Sequence, residues 1–71
     1  MLELNWRLMG PGGEIRREAK VTMPSLTAIW RELAAVAVKF GSPGEFLQVL
    51  DPQGEMIIRV GVATARSAIG R

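Results

Sequence analysis

The apolar residues of this 71-residue chain change their spacing twice along the sequence, and this change limits the fold more than any other feature. They recur at every second position over 1–9 and 15–23, at helical spacing over 26–40, and largely at every second position again over 46–62. A period of two is typical of a strand with one buried face, and a period near 3.6 is typical of an amphipathic helix. The pattern therefore predicts two strands, one helix and two more strands.

Turn residues separate these segments. The run Gly10–Gly13 reads GPGG and predicts a hairpin turn, and Asp51–Gly54 reads DPQG, which fits a type I turn with proline at its second position. Ser25 is the expected N-cap of a helix that runs to about Phe40. Gly41 is placed to end that helix as its C′ residue.

An α+β fold with ββαββ order follows, in which one helix covers one face of a four-stranded, mainly antiparallel sheet. All 71 residues are expected to form a single small domain, and residues 63–71 are expected to be either a short helix or a frayed tail. Trp6 and Trp30 are predicted to be the largest core side chains, and Arg17 fits the inner register best at the end of the sheet. The helix stripe is predicted to be Leu26, Ile29, Trp30, Leu33, Val36, Ala37 and Phe40, lying over Leu4, Trp6, Leu8, Val21, Val49, Ile58 and Val60. The inner register of the strands also includes Ile15 and Met56.

The composition indicates a globular protein, with 48% hydrophobic and 23% charged residues. There is no cysteine for a disulfide, and there is neither histidine nor cysteine for a typical zinc site. A chain this short then depends on good packing or on oligomerisation for its stability. The isoelectric point near 9.9 reflects the absence of histidine, tyrosine and cysteine, because the formal net charge is only +2. It does not indicate a polyanionic partner.

Two features bear on location. The longest apolar run, Leu33–Val38, is much too short to span a membrane, so no membrane association is expected. The N-terminus alternates between apolar and polar residues and lacks the pattern of a signal peptide. Together with the absence of cysteine, these features favour a cytoplasmic location.

The segment VTMPSL, the alanine-rich helix after it and LQVLDPQGEMIIRV together resemble a family of short, uncharacterised bacterial proteins. The similarity extends over about 22–62 and consists of the Met23-Pro24 step, the helix over Ala28–Ala37, and the hairpin residues Val49, Asp51 and Gly54. It departs at the start of the chain, where the family tends to have an aromatic pair and an acidic loop. The resemblance implies the strand–strand–helix–strand–strand order and no catalytic residue, because the family has no assigned activity.

Candidate catalytic groups have simpler interpretations. The glycine-rich turn is followed by a strand, so it lacks the helix N-terminus that a phosphate cradle needs. Asp51 is best explained as a turn residue whose carboxylate accepts backbone N–H groups. The serines have no histidine to activate them. We therefore expect no catalytic residue, no cofactor, no metal and no enzymatic activity.

The predicted second hairpin carries apolar residues on the face away from the helix. Phe46, Leu50 and Ile57 lie on this face, and Met9 of the first strand joins them. Three occupants could cover them: the C-terminal segment with Val62 and Ile69, a second copy of the chain, or an unidentified protein partner. We favour a non-enzymatic interaction module that forms a homodimer through this sheet face or a sheet edge.

Basic residues on the same face suggest an alternative function. Arg7, Arg16, Lys20 and Arg59 could bind single-stranded nucleic acid through its backbone, with Phe46 stacking on a base. The pattern is weak, because there is one aromatic residue and acidic residues lie between the cations. Nucleic acid is therefore the less favoured partner, and a salt titration with single-stranded RNA or DNA distinguishes the two functions.

Overall fold

The computed structural model describes residues 1–67, and their fold confirms the predicted α+β class and ββαββ order. The elements are β1 (Leu2–Met9), β2 (Ile15–Met23), α1 (Ile29–Phe40), β3 (Phe46–Leu50), β4 (Met56–Gly61) and α2 (Val62–Ser67). The strands of residues 1–67 form one antiparallel sheet in the order β2-β1-β3-β4. Strands β1 and β3 are thus central, and β2 and β4 are the two edges.

Both hairpins have the same four-residue turn, with proline second and glycine fourth. The N–H of Gly13 donates to the carbonyl of Gly10 over 2.9 Å, and the N–H of Gly54 donates to the carbonyl of Asp51 over the same distance. Gly13 and Gly54 have φ angles of 89° and 86°, which glycine adopts without strain. Oδ1 of Asp51 also accepts two backbone N–H groups, each over 2.9 Å, which confirms its predicted role in the turn.

Helix α1 begins later than predicted, and Ser25 is not its N-cap. The N-cap position belongs to Ala28, which makes no side-chain cap hydrogen bond. The chain enters the helix through tight turns, in which the N–H of Ala28 donates to the carbonyl of Ser25 over 3.2 Å. The N–H of Ile29 donates to the carbonyl of Leu26 over 3.1 Å. Ser25 therefore supports the entry to the helix with its carbonyl, and the turn replaces the side-chain cap.

The core lies between the helices and one face of the sheet. Helix α2 packs against α1 and adds its apolar side chains to the same cluster. No helix within residues 1–67 is long and apolar enough to cross a membrane. The buried cluster consists of Leu4, Trp6, Leu8, Ile29, Leu33, Val36, Ala37, Leu47, Val49, Val62 and Ala65.

The predicted helix stripe was too wide. Trp30 is exposed rather than part of the core, as are Leu26 and Phe40, whereas Ala34 is fully buried. Trp6 occupies the core, and its indole N–H donates to the carboxylate of Glu32 over 3.0 Å. The inner side of α1 is therefore formed without Trp30, by Ile29, Leu33, Ala34, Val36 and Ala37.

A bulge near the first turn moves Ile15 out of the inner register. Leu8 pairs with Arg17, but the next residue, Met9, pairs with Ile15, which leaves Arg16 as an extra residue in β2. An extra residue interrupts the alternation of the strand. Ile15 consequently lies opposite Met9 and is exposed, which corrects its predicted inward position.

A second bulge has the same effect in β4. Val49 pairs with Ile58, but Leu50 pairs with Met56, so Ile57 is the extra residue. Met56 was predicted to face the core, and it is exposed instead. Ile57 lies on the bulge rather than in regular alternation with Leu50.

Gly41 ends α1 where neighbouring atoms come very close. Its φ of −78° and ψ of 148° are extended, and it is the C-cap residue rather than the predicted C′ residue. A Cβ atom at this position would lie 2.6 Å from the carbonyl oxygen of Ala37 and 2.7 Å from Cγ1 of Val62. Glycine is therefore required here for the close approach of α2 to the end of α1.

We expect Gly41→Ala to lower the free energy of unfolding by about 1–2 kcal/mol, because the added methyl group forces packed neighbours apart. Urea unfolding followed by tryptophan fluorescence measures this change. Gly61→Ala is the matched control, since a Cβ at Gly61 meets no atom within 4 Å. Equal effects of the two substitutions would contradict the close-approach explanation.

The C-terminal segment was predicted to be a helix or a frayed tail. Residues Val62–Ser67 form helix α2, in line with the first of these options. Residues 68–71, which include Ile69, lie outside the described residues.

Candidate interaction surfaces

The apolar residues predicted on the open sheet face, which is the face away from α1, are largely covered by the chain itself. Met9 and Leu50 are only 8% and 7% exposed. Phe46 lies opposite Met9 in the β1–β3 ladder and is half-buried. Ile57 is 43% exposed, but it belongs to the bulge in β4. The structure thus brings Met9 and Phe46 together, and Ile15, which is 50% exposed, lies on the other side of Met9.

The covering of Phe46 comes from a neighbouring strand. The guanidinium carbon of Arg59 lies 4.3 Å from the centre of the Phe46 ring, a cation–π contact. The C-terminal segment does not supply the cover through Val62, because Val62 is buried in the main core on the helix side. The predicted contribution of Ile69 lies outside the described residues.

A buried carboxylate at the start of β3 was missed in the sequence. Oε1 of Glu45 accepts the backbone N–H of Ser42 over 2.7 Å, and Oε2 accepts Nη1 of Arg16 over 2.9 Å. Glu45 follows a proline–glycine turn, as Glu14 and Glu55 do, so nothing in the sequence indicated that it alone is buried. Its contacts join the bulge in β2 to the loop before β3, which is a structural role.

The four basic residues of the nucleic-acid alternative do not form one cationic patch. Nε of Arg7 lies 3.3 Å from a carboxylate oxygen of Glu18, and Arg16 is bound to Glu45. Arg59 stacks on Phe46. Lys20 makes no ion pair within residues 1–67. Two of the four cations are therefore already neutralised by carboxylates.

An apolar groove of about 470 Å³ lies at the end of the sheet where β1 begins. Exposed side chains of β1 and of the segment before α1 meet the β3–β4 turn here, and Glu3 and Asp51 add charges. Ile57 contributes to this groove and not to the surface around Phe46. The apolar lining consists of Met1, Leu2, Leu4, Leu26, Pro52 and Ile57.

The free edge of β2 is the longest open strand edge in residues 1–67. β2 has nine residues, and each of them is exposed or half-buried. The opposite edge, β4, has six residues, carries a bulge and runs directly into α2. β2 therefore offers the larger set of backbone groups for pairing with another strand.

The hydrogen-bond pattern shows which residues of β2 face this edge. The N–H of Val62 donates to the carbonyl of Glu45, so these two residues form a hydrogen-bonded pair. Because such pairs alternate along an antiparallel ladder, the odd-numbered residues of β3 bond to β4 and the even-numbered residues bond to β1. The even-numbered residues of β3 pair with odd-numbered residues of β1. The even-numbered residues of β1 therefore bond to β2, where their partners include Arg17, Ala19 and Val21. The backbone groups of Glu18 and Lys20 consequently point away from the sheet.

Comparisons with protein-family models, with curated proteins and with solved structures gave no match. The resemblance to short bacterial proteins stays a prediction.

Proposed function

We propose that this chain is a small, non-enzymatic interaction module of the cytoplasm that self-associates through the free edge of β2. The observation that carries the proposal is the open edge of this nine-residue strand. An unpaired strand edge presents N–H and C=O groups that another strand can satisfy, and strand addition is a common mode of recognition.

The edge is favoured over the open face for a physical reason. Association is driven by removing exposed groups from water, and Met9 and Leu50, two of the four residues predicted to form the interface, are already buried in the single chain. The backbone groups at the edge of β2 have no strand partner within residues 1–67. A second copy can satisfy them, and the added contacts offset the small core of a 71-residue chain.

Sedimentation velocity tests the proposal. With protein between about 5 and about 500 µM, the range in which small interfaces dissociate, we expect the average mass to rise from 7.8 kDa toward twice that value. Backbone amide exchange recorded at the two ends of this range should show slower exchange for Glu18 and Lys20 at the higher concentration. A single 7.8 kDa species at every concentration would overturn the proposal.

A further inference from the structure

Resting on the proposed self-association, we infer that two copies pair their β2 strands antiparallel about a two-fold axis at Ala19. This register places Glu18 of each copy opposite Lys20 of the other. The two four-stranded sheets then form one continuous antiparallel sheet. The second copy of this chain is therefore the partner, and alternating charges in β2 select how it binds.

Symmetry and hydrogen bonding leave few possible registers. In an antiparallel pair, residues that face the shared edge must lie opposite residues that also face it. Glu18 and Lys20 face the edge, so the axis must pass through a residue of β2 rather than between two residues. An axis at Glu18 sets this carboxylate against its own copy, and an axis at Lys20 sets two ammonium groups together. Both arrangements oppose like charges directly across the ladder.

The outer registers are also unfavourable. An axis at Arg17 brings two guanidinium groups together next to the bulge at Arg16, where the strand is irregular. An axis at Val21 places Glu18 opposite Pro24, which has no N–H to donate. The axis at Ala19 alone combines opposite charges with regular strand on both sides.

The open sheet face has room for these charge pairs between the two copies. A shallow pocket of about 310 Å³ is lined by Asn5, Arg7, Glu18, Ala19 and Lys20. Within it, Arg7 approaches one side of the Glu18 carboxylate at 3.3 Å, and Lys20 has no acidic partner within residues 1–67. A carboxylate can accept several hydrogen bonds, so Glu18 can keep Arg7 and also bind Lys20 of the second copy.

The helix side of the edge supports the same register. The guanidinium of Arg17 lies 3.8 Å from the centre of the Phe40 ring, and Phe40 is exposed although it is a large apolar residue. With the axis at Ala19, Val21 of the second copy lies opposite Arg17. Its side chain then covers the arginine stem beside the Phe40 ring, which adds apolar contact to the charge pairs.

Lys20 also explains why the two edge strands pair in one register only. A lysine on an edge strand normally prevents indiscriminate strand pairing, because a foreign strand leaves its charge without a partner. The register at Ala19 supplies a carboxylate to each lysine. The same residue thus blocks other pairings and permits this one.

Two charge reversals test the register. Glu18→Lys alone sets the introduced ammonium group against Lys20 of the second copy, and Lys20→Glu alone sets two carboxylates together. In each symmetric dimer two attractive pairs become two repulsive ones, so we expect the dissociation constant to rise at least about tenfold. An equimolar mixture of the two variants restores opposite charges at both positions. Sedimentation should show the mixture forming a heterodimer with affinity close to that of the wild type.

Glu55→Lys and Lys39→Glu are the matched controls, since both residues are exposed and lie outside β2. They should leave self-association unchanged, and far-UV circular dichroism verifies that all variants are folded. If the wild type associates and both charge-reversal variants associate equally well, the register is wrong, whereas the proposed function stands. Loss of association in each variant without recovery in the mixture would also overturn the register. A wild-type monomer at every concentration would overturn the proposed function itself.

Discussion

Replacing Leu33 with alanine is expected to lower the free energy of unfolding by about 3 kcal/mol, a larger loss than we expect from any other single substitution proposed for this chain. Leu33 is fully buried in α1 and belongs to the core cluster beneath it. Leucine and alanine have similar helix propensities, so the loss arises from apolar contacts and from the cavity that remains. A chain of this size has a total stability of roughly 4–10 kcal/mol, and the variant should be partly unfolded well below the melting temperature of the wild type.

The same helix supplies a control for this prediction. Val38 is 57% exposed, and Val38→Ala removes apolar atoms from the surface of α1 rather than from the core. We expect its effect to stay within about 0.5 kcal/mol, since surface substitutions rarely change stability by more. Urea unfolding must be run at one fixed protein concentration, because self-association adds to the apparent stability. Similar losses in the two variants would show that α1 does not pack as described.

The element order could be predicted because the apolar period is visible in a single sequence. The helix spacing up to Phe40 and the strand alternation from Leu2 both involve residues that are only two to four positions apart in the chain. The turns were predictable for the same reason, since proline and glycine occupy fixed positions in DPQG and GPGG.

The two bulges could not be predicted in this way. A bulge adds one residue to one strand, and only pairing with the neighbouring strand reveals it. Ile15, Met56 and Ile57 were therefore assigned to faces by simple alternation, which was wrong for Ile15 and Met56. The hydrogen bond from Trp6 to Glu32 could not be predicted from apolar spacing either, because it joins residues far apart in the sequence.

The candidate site depends on strand order, which the sequence did not reveal. In the sequence, nothing distinguishes Glu18, Ala19 and Lys20 from other residues of a strand. They become candidate interface residues because the order β2-β1-β3-β4 places β2 at an edge of the sheet. The sequence instead predicted an interface around Phe46, since exposed apolar surface is a common sign of an interface. Side chains from neighbouring strands cover much of that surface, and this covering could not be predicted from spacing alone.

The second large effect is expected at Arg16. Arg16→Ala removes the guanidinium that lies 2.9 Å from the carboxylate of Glu45, whose side chain is only 2% exposed. When a buried carboxylate loses its cation, the free-energy cost of removing the carboxylate from water remains, but the attraction that offset this cost is lost. Because Arg16 itself is half exposed, water can partly replace it, and we expect a loss of about 2 kcal/mol rather than the larger cost of a fully buried pair.

The other arginine–glutamate pair of the described residues provides the comparison. Arg7→Ala breaks the contact with Glu18, a carboxylate that is 57% exposed, so water hydrates it at once and the loss should stay below about 0.5 kcal/mol. The same chemical change thus has different consequences, because the burial of the remaining carboxylate differs. Urea unfolding of the two variants measures the difference directly. Equal losses would contradict the role of burial.

A double substitution identifies the physical cause. Glu45→Gln removes the charge but keeps an oxygen that can accept the N–H of Ser42, so this change alone should cost about 1 kcal/mol. When Arg16→Ala is added to Glu45→Gln, no unpaired carboxylate is left behind. The combined loss should therefore be clearly smaller than the sum of the two separate losses. Additive losses would mean that Arg16 stabilises the fold through its aliphatic stem, and that the buried charge of Glu45 does not depend on it.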